Sequence, residues 1–193
     1  LDSRDPARDG SAVQRRDLEL GVYLLRGVLT AAECQRLIQA AARRGFAQAG
    51  LALGGDEYRV NLAARNNARV IVDDPALAQA LWARVGHLVD ATYQRCQAAG
   101  LNWRFRIYRY EVGQRFRPHV DQVFALPGTP LRTLFSFMIY LNHGFAGGET
   151  RFFDWRGPGR GRRSGDRARR VVVPETGMAL AFDHLLFHEG AVV

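Results

Sequence analysis

The sequence predicts an α+β, mainly β domain, a helix-supported β-sandwich or jelly roll, and three observations carry that prediction. Two helical patterns with strong start signals occupy the first half of the chain. From residue 101 onward the pattern changes to short apolar or alternating runs punctuated by Gly, Pro and Asn turns. Helices stop alternating with strands at that point, which argues against a parallel α/β sheet.

Taken in order, residues 1–17 are polar and charged, with Pro6 and Gly10, and are expected to form a flexible N-terminal arm. Residues 18–193 are expected to form a single domain whose C-terminus is truncated, since the chain stops at Val193 on an apolar run. Val22–Leu25 reads as a strand. Thr30-Ala31-Ala32-Glu33 is a capping box, in which hydroxyl and carboxylate satisfy free N–H groups of a first turn, and Leu37, Ile38 and Ala41 supply the helix's apolar face. Residues 46–64 read as loop or weak strand with a Gly54-Gly55 turn, and Ala68–Val72 as a strand entered from a polar loop. Asp74 followed by Pro75 starts a second helix, whose stripe of Leu77, Leu81, Val85, Leu88 and Cys96 is expected to run until Gly100. Strands are expected around Arg104–Tyr110, Phe116–Asp121, Thr133–Leu141, Thr150–Trp155, Val171–Val173, Met178–Phe182 and Leu185–Glu189. The stretch 156–170, rich in Gly and Arg, reads as a flexible, solvated loop.

Composition bounds the function. A chain of 193 residues, 47% hydrophobic, suits one domain with a sizeable core. The net charge of +8 comes entirely from Arg, with no Lys, a usage that looks like GC-rich codon bias. A basic surface attracts polyanions, but no nucleic-acid module signature is visible. Two cysteines, Cys34 and Cys96, both expected on helices, do not make a disulfide framework and favour a reducing, cytoplasmic setting. No run approaches the length of a membrane span.

The chemistry centres on Phe116-Arg117-Pro118-His119-Val120-Asp121-Gln122. Strand residues two apart share a face, so His119 and Asp121 can reach one ion together. An imidazole and a carboxylate are two parts of the 2-His-1-carboxylate triad that holds Fe(II) and leaves positions open. The third ligand would be a distant His. His188, in Phe187-His188-Glu189-Gly190, is the candidate and His184 its rival. His87 and His143 read as boundary and surface residues, and Glu149 as a structural carboxylate.

Ile107–Gln114, His119-Val120-Asp121, Arg132-Thr133, Tyr140-Leu141-Asn142, Gly147–Phe152 and Phe187–Gly190 together resemble, in order and spacing, the 2-oxoglutarate and Fe(II)-dependent dioxygenases of the prolyl 4-hydroxylase type. Arg65-Asn66-Asn67 and Asp73-Asp74-Pro75 are similar to bacterial members of that group. The resemblance implies a double-stranded β-helix, the distorted jelly roll of that family. It implies His119, Asp121 and His188 as metal ligands, with 2-oxoglutarate as cosubstrate and ascorbate as an auxiliary reductant. It further implies Tyr110 and Tyr140 as hydrogen-bond donors to 2-oxoglutarate, and hydroxylation of an unactivated C–H, with proline in a peptide as the default substrate. Arg65, Asn66 and Asn67 would line the substrate side. The family anchors the distal carboxylate of 2-oxoglutarate with an Arg or Lys beyond the distal His, and none follows His188 in this sequence. Arg132, Arg151 or a residue past Val193 would fill that role. Two other readings stand beside this one: a non-catalytic jelly-roll domain that binds an acidic partner through its basic loop, and an oxygenase acting on a small molecule or nucleic acid.

Overall fold

The computed structural model describes residues 12–54, 57–154 and 167–193, without the side chains of 52–58. Its elements in chain order are β1 (Gln14–Glu19), β2 (Val22–Arg26), α1 (Ala31–Arg44), β3 (Ala47–Gln48), β4 (Leu51–Gly54), β5 (Glu57–Arg59), β6 (Ala68–Asp73) and α2 (Pro75–Val85). There follow β7 (Thr92–Tyr93), β8 (Cys96–Gln97), β9 (Arg104–Arg109), β10 (Phe116–His119), β11 (Phe135–Ile139), β12 (Thr150–Phe152), β13 (Arg170–Val172), β14 (Ala179–Asp183) and β15 (His188–Gly190). Two four-stranded sheets dominate, ordered β1-β2-β14-β11 and β10-β15-β12-β13, with antiparallel pairing throughout. They are the two faces of a jelly roll. A smaller sheet, β3-β6-β9, extends the structure.

Strand alternation divides the apolar residues between two cores. Tyr23 and Leu25 of β2 and Ala179 and Ala181 of β14 pack with Cys34 of α1 and Leu81 and Val85 of α2. Val22, Leu24, Leu180 and Phe182, one residue out of phase, meet Phe152 of β12 and Val172 of β13 between the sheets, around Tyr140. The helices therefore buttress the outer face of one sheet, and the inner faces are left to enclose a site.

The helix starts are as the sequence predicts. Thr30 Oγ1 accepts from the Glu33 N–H while the Glu33 carboxylate accepts from the Thr30 N–H, and Asp74 accepts from the Leu77 N–H. Glu33 has a second role: its carboxylate is fully buried and receives both Arg84 terminal nitrogens, at 2.6 and 2.9 Å, locking α1 to α2.

Three expectations need correction. The second helix ends at Val85, passes through a single 3₁₀ turn at Gly86–Leu88, and gives way to the β7–β8 hairpin, so Cys96 lies on a strand. A β-carbon at Gly86 would stand 2.9 Å from the Trp82 ring, so the indole covers the point where the helix stops. The N-terminal arm is shorter than residue 17: from Gln14 the chain is an edge strand, paired residue by residue with β2, and residues 1–11 lie outside the described residues. The Arg-rich stretch lies outside them only as far as residue 166. Its end is tied down, with Arg169 3.0 Å from Glu19 and Arg170 donating to the Leu18 carbonyl.

Candidate metal centre

The site grows from a distortion in β10. Phe116 pairs with Gly190 and His119 with His188, a register that shifts by one residue between them. Without that bulge, Phe116 and His119 would face opposite sides. With it both face inward and their rings stack at 3.5 Å, tilted 23°. Pro118, which cannot donate to a ladder, sits inside the bulge, where its missing N–H costs nothing.

Across the ladder His188 is brought beside His119, with ring centroids 4.3 Å apart. Asp121 lies past the end of the strand, so alternation alone does not place it. Its backbone N–H donates to the His184 carbonyl at 2.9 Å, and the Ser136 hydroxyl of β11 donates to Oδ2. Oδ1 stands 3.4 Å from His119 Nε2 and Oδ2 3.8 Å from His188 Nε2. One ligand atom from each of His119, Asp121 and His188 falls within 4.8 Å of the others. Donors about 2.1 Å from an ion and at right angles stand about 3 Å apart, so only small movements would close the set on a cation.

The donor chemistry fits a metal. His119 Nδ1 lies 2.8 Å from the Arg117 carbonyl and His188 Nδ1 2.9 Å from the Leu186 carbonyl. A carbonyl only accepts, so each Nδ1 carries the proton and each Nε2 presents a lone pair. Burial, reinforced by the neighbouring His119, pushes His188 down to about 4, so it is neutral at physiological pH. Burial works to raise the Asp121 carboxyl. The His119 hydrogen bond, both imidazoles and Ser136 outweigh it and hold Asp121 well below the usual carboxylate range. Phe182 packs edge-on against His188 at 4.5 Å, and Phe152 lies at 5.9 Å. Two imidazoles, one carboxylate and an apolar wall make a site for a divalent first-row ion with open positions.

His184 is buried but is not part of this cluster. Its Nδ1 has no partner, and its contribution is the backbone carbonyl that holds Asp121. His143 sits in a turn with its Nδ1 2.7 Å from the Thr176 hydroxyl, and Glu149 accepts from Arg151.

The two tyrosines lie close to the strands that carry the cluster. Tyr140 follows β11 on the inner face and its hydroxyl lies 2.7 Å from Thr150 Oγ1. Burial raises it above the usual phenol range against the Thr150 hydrogen bond. Tyr110 is pushed up to about 12, again by burial, with Arg65 pulling the other way. Its hydroxyl hangs over Gly190, 3.7 Å from where a β-carbon there would stand. Thr150 pairs with Gly190 on the adjacent strand, so the hydroxyls of Tyr110, Tyr140 and Thr150 are carried by neighbouring positions of one inner face. Arg65 and Asn67 are interior rather than at a mouth, at 5% and 0% exposure. Asn67 Oδ1 accepts from Arg65 Nε at 2.8 Å, and Asn66 braces the loop by accepting from the Arg115 N–H.

Sequence reasoning missed Ser136 and Thr150. Ser136 had a signal: a lone hydroxyl in an apolar strand, in phase with Met138 and Tyr140, is a polar group facing inward. Thr150 had none, because its partner Tyr140 is set by sheet closure.

Residues 105–193 match the family model described as the 2OG-Fe(II) oxygenase superfamily. Among solved structures, the viral collagen prolyl hydroxylase of Paramecium Bursaria Chlorella virus-1, in its 2OG complex, is similar to this chain. It shows 20% identity and a TM-score of 0.59, covering 90% of this chain and 88% of that one. A Pseudomonas putida prolyl-4-hydroxylase is similar at 19% identity and a TM-score of 0.52, covering 90% and 86%. At these identities the likeness speaks to the fold. No curated protein matches the sequence.

Proposed function

We propose that the chain is a dioxygenase that uses Fe(II) and 2-oxoglutarate to hydroxylate an unactivated C–H bond of a peptide or protein side chain, with proline the first residue to test, a reading supported by the match of residues 105–193 to the 2OG-Fe(II) oxygenase superfamily model. The observation that carries the reading is the convergence of His119, Asp121 and His188, with both Nε2 atoms turned toward the carboxylate and each Nδ1 on a backbone carbonyl. The shared fold with two prolyl hydroxylases supports the choice of proline.

When bound, Fe(II) and 2-oxoglutarate supply the oxygen chemistry, in which 2-oxoglutarate becomes succinate and carbon dioxide as one oxygen atom enters the substrate. The chain's residues supply orientation. The Arg117 and Leu186 carbonyls fix the tautomer of each imidazole. Ser136 and the backbone bond to His184 set the Asp121 carboxylate. Tyr110, Tyr140 and Thr150 would offer hydroxyls to the bound acid, while Phe116, Phe152 and Phe182 pack around the imidazoles. Fe(II)-loaded protein should convert 2-oxoglutarate to succinate and add the mass of one oxygen to proline-containing peptides. His119→Ala should abolish both, and succinate formation at the wild-type rate in that variant would refute the assignment.

A further inference from the structure

Two of the three candidate ligands hang on carbonyls of one turn, residues 183–186. The His184 carbonyl accepts from the Asp121 N–H at 2.9 Å, and the Leu186 carbonyl lies 2.9 Å from His188 Nδ1. The turn starts at the last residue of β14 and closes with the Leu186 N–H on the Asp183 carbonyl at 3.1 Å. Asp183 is 8% exposed, and its side chain folds back into the turn, where Oδ1 accepts from the Leu185 N–H at 2.8 Å. The other oxygen, Oδ2, is met by two donors from a distant element. The Tyr93 hydroxyl reaches it at 2.7 Å and the Gln94 amide at 2.9 Å, both from the bend of the β7–β8 hairpin.

The surroundings are shaped to this contact on both sides. Gly21 lies against the hydroxyl: a β-carbon there would stand 2.9 Å from Tyr93 Oη and 3.5 Å from Asp183 Cβ. The Gly21 carbonyl also accepts from the Asp183 N–H at 3.0 Å. On the hairpin, Gln94 and Arg95 keep φ of 48° and 63°, a costly conformation that persists where tertiary contacts over-determine it. The Tyr93 ring meets Phe135 edge-on, with centroids 4.7 Å apart, beside the Ser136 whose hydroxyl donates to Asp121. His119 stands outside this chain of contacts, since its Nδ1 rests on the Arg117 carbonyl of its own strand.

We propose that Tyr93 and Asp183 are positioning residues of the metal centre: the hairpin clamps the Asp183 carboxylate, the carboxylate sets the turn, and the turn's carbonyls aim Asp121 and His188. The proposal rests on the reading of His119, Asp121 and His188 as a divalent-metal site.

The test measures metal binding by the full chain without turnover, as the Mn(II) dissociation constant and the visible absorption of bound Co(II), which reports ligand geometry. Tyr93→Phe removes the hydroxyl and keeps the ring against Phe135, and Asp183→Asn weakens the carboxylate's grip on both partners. Groups that orient metal ligands typically contribute tenfold to a hundredfold in affinity, so one step further out Tyr93→Phe should weaken Mn(II) about fivefold and Asp183→Asn about tenfold. The Co(II) spectrum should shift in both. Val85→Ala opens the helix-side core, away from these groups, and serves as the control for stability alone: it should lower the melting temperature and leave Mn(II) affinity within about twofold of wild type. If Asp183→Asn does not fold, Tyr93→Phe decides alone. A folded Tyr93→Phe protein with wild-type Mn(II) affinity and Co(II) spectrum overturns the proposal. So does a Val85→Ala protein that weakens Mn(II) as much as Tyr93→Phe, because the effect would then be one of stability and not of aim. Wild-type protein that takes up neither ion would sink the metal-site reading itself, a result distinct from both.

Discussion

Ser136→Ala isolates how much the fold contributes to the candidate metal centre. The hydroxyl donates to Asp121 Oδ2, while Oδ1 faces His119. Asp121 stands beyond the end of β10, so this bond and the backbone bond to His184 are what hold it from outside the cluster among the described residues. A hydrogen bond to a charged group contributes about 1.5–3 kcal/mol. The Asp121 side chain is 30% exposed, so solvent screens part of this and the lower half of the range applies. At about 1.4 kcal/mol per decade, Mn(II) affinity should fall roughly tenfold to thirtyfold, in line with other losses of groups that orient metal ligands. Free Mn(II) measured by electron paramagnetic resonance during titration gives the dissociation constant directly. Because the bond is already made without an ion, the apo melting temperature should fall as well, by about 3–6 °C for a loss of about 1.5 kcal/mol. Mn(II) affinity within twofold of wild type would refute the claim that Ser136 positions Asp121.

Arg84→Met leaves Glu33, at 0% side-chain exposure, as a buried charge without its bidentate partner. The expected loss is about 3–5 kcal/mol, or roughly 10 °C in melting temperature for a domain of this size, and adding Glu33→Gln should recover much of it in calorimetry. Gly177→Ala should destabilise by more than the ~1–2 kcal/mol of left-handed strain, because φ is +79° and the new β-carbon would stand 1.9 Å from the Leu29 carbonyl oxygen; urea melts showing no change would contradict this. Stability should also fall as pH rises from about 9 to 12. Burial raises Cys34 to about 11 and Tyr23 and Tyr110 to about 12, so the unfolded chain releases protons that the native state keeps. Melting temperatures at pH 8 and 10.5, with ultraviolet titration of the six tyrosines, check both halves of that statement.

What could be read from the sequence was local. The capping box, the Asp74-Pro75 start, and the apolar runs of β2, β11 and β14 each declare themselves within a few residues. β1 did not, because Gln14-Arg15-Arg16-Asp17 carries no apolar alternation. It is a charged edge strand, with Arg15 held by Asp17, Asp90 and the Leu88 carbonyl, and charge on an edge protects against unwanted pairing. The β7–β8 hairpin was hidden for a different reason. Its turn residues Gln94 and Arg95 adopt φ of 48° and 63°, a conformation that normally advertises itself through Gly, Asn or Asp. The Tyr93 hydroxyl and Gln94 amide both donate to the buried Asp183 carboxylate, so a tertiary contact holds a turn that the local sequence does not favour.

The same distinction explains the site. His119 and Asp121 were legible as a pair, and His188 as a distant partner. What makes them a centre is the register of β15 between β10 and β12, which no local pattern encodes. His188 faces inward only while Glu189 faces outward, and Arg151, its neighbour across β12, sits 3.8 Å from Glu189 on that outer face. A slip of one residue would bury Glu189 beside His119 and turn His188 away. Moving the Glu189 carboxylate, which now has Arg151 3.8 Å away, against the apolar wall of Phe152 and Phe182 would leave it buried without a cation, a cost of several kcal/mol. The inward surroundings of His188 therefore enforce the register. Replacing Glu189 with Gln should accordingly leave Mn(II) binding within about twofold of wild type, whereas an acidic residue at Phe152 should disrupt binding and folding together.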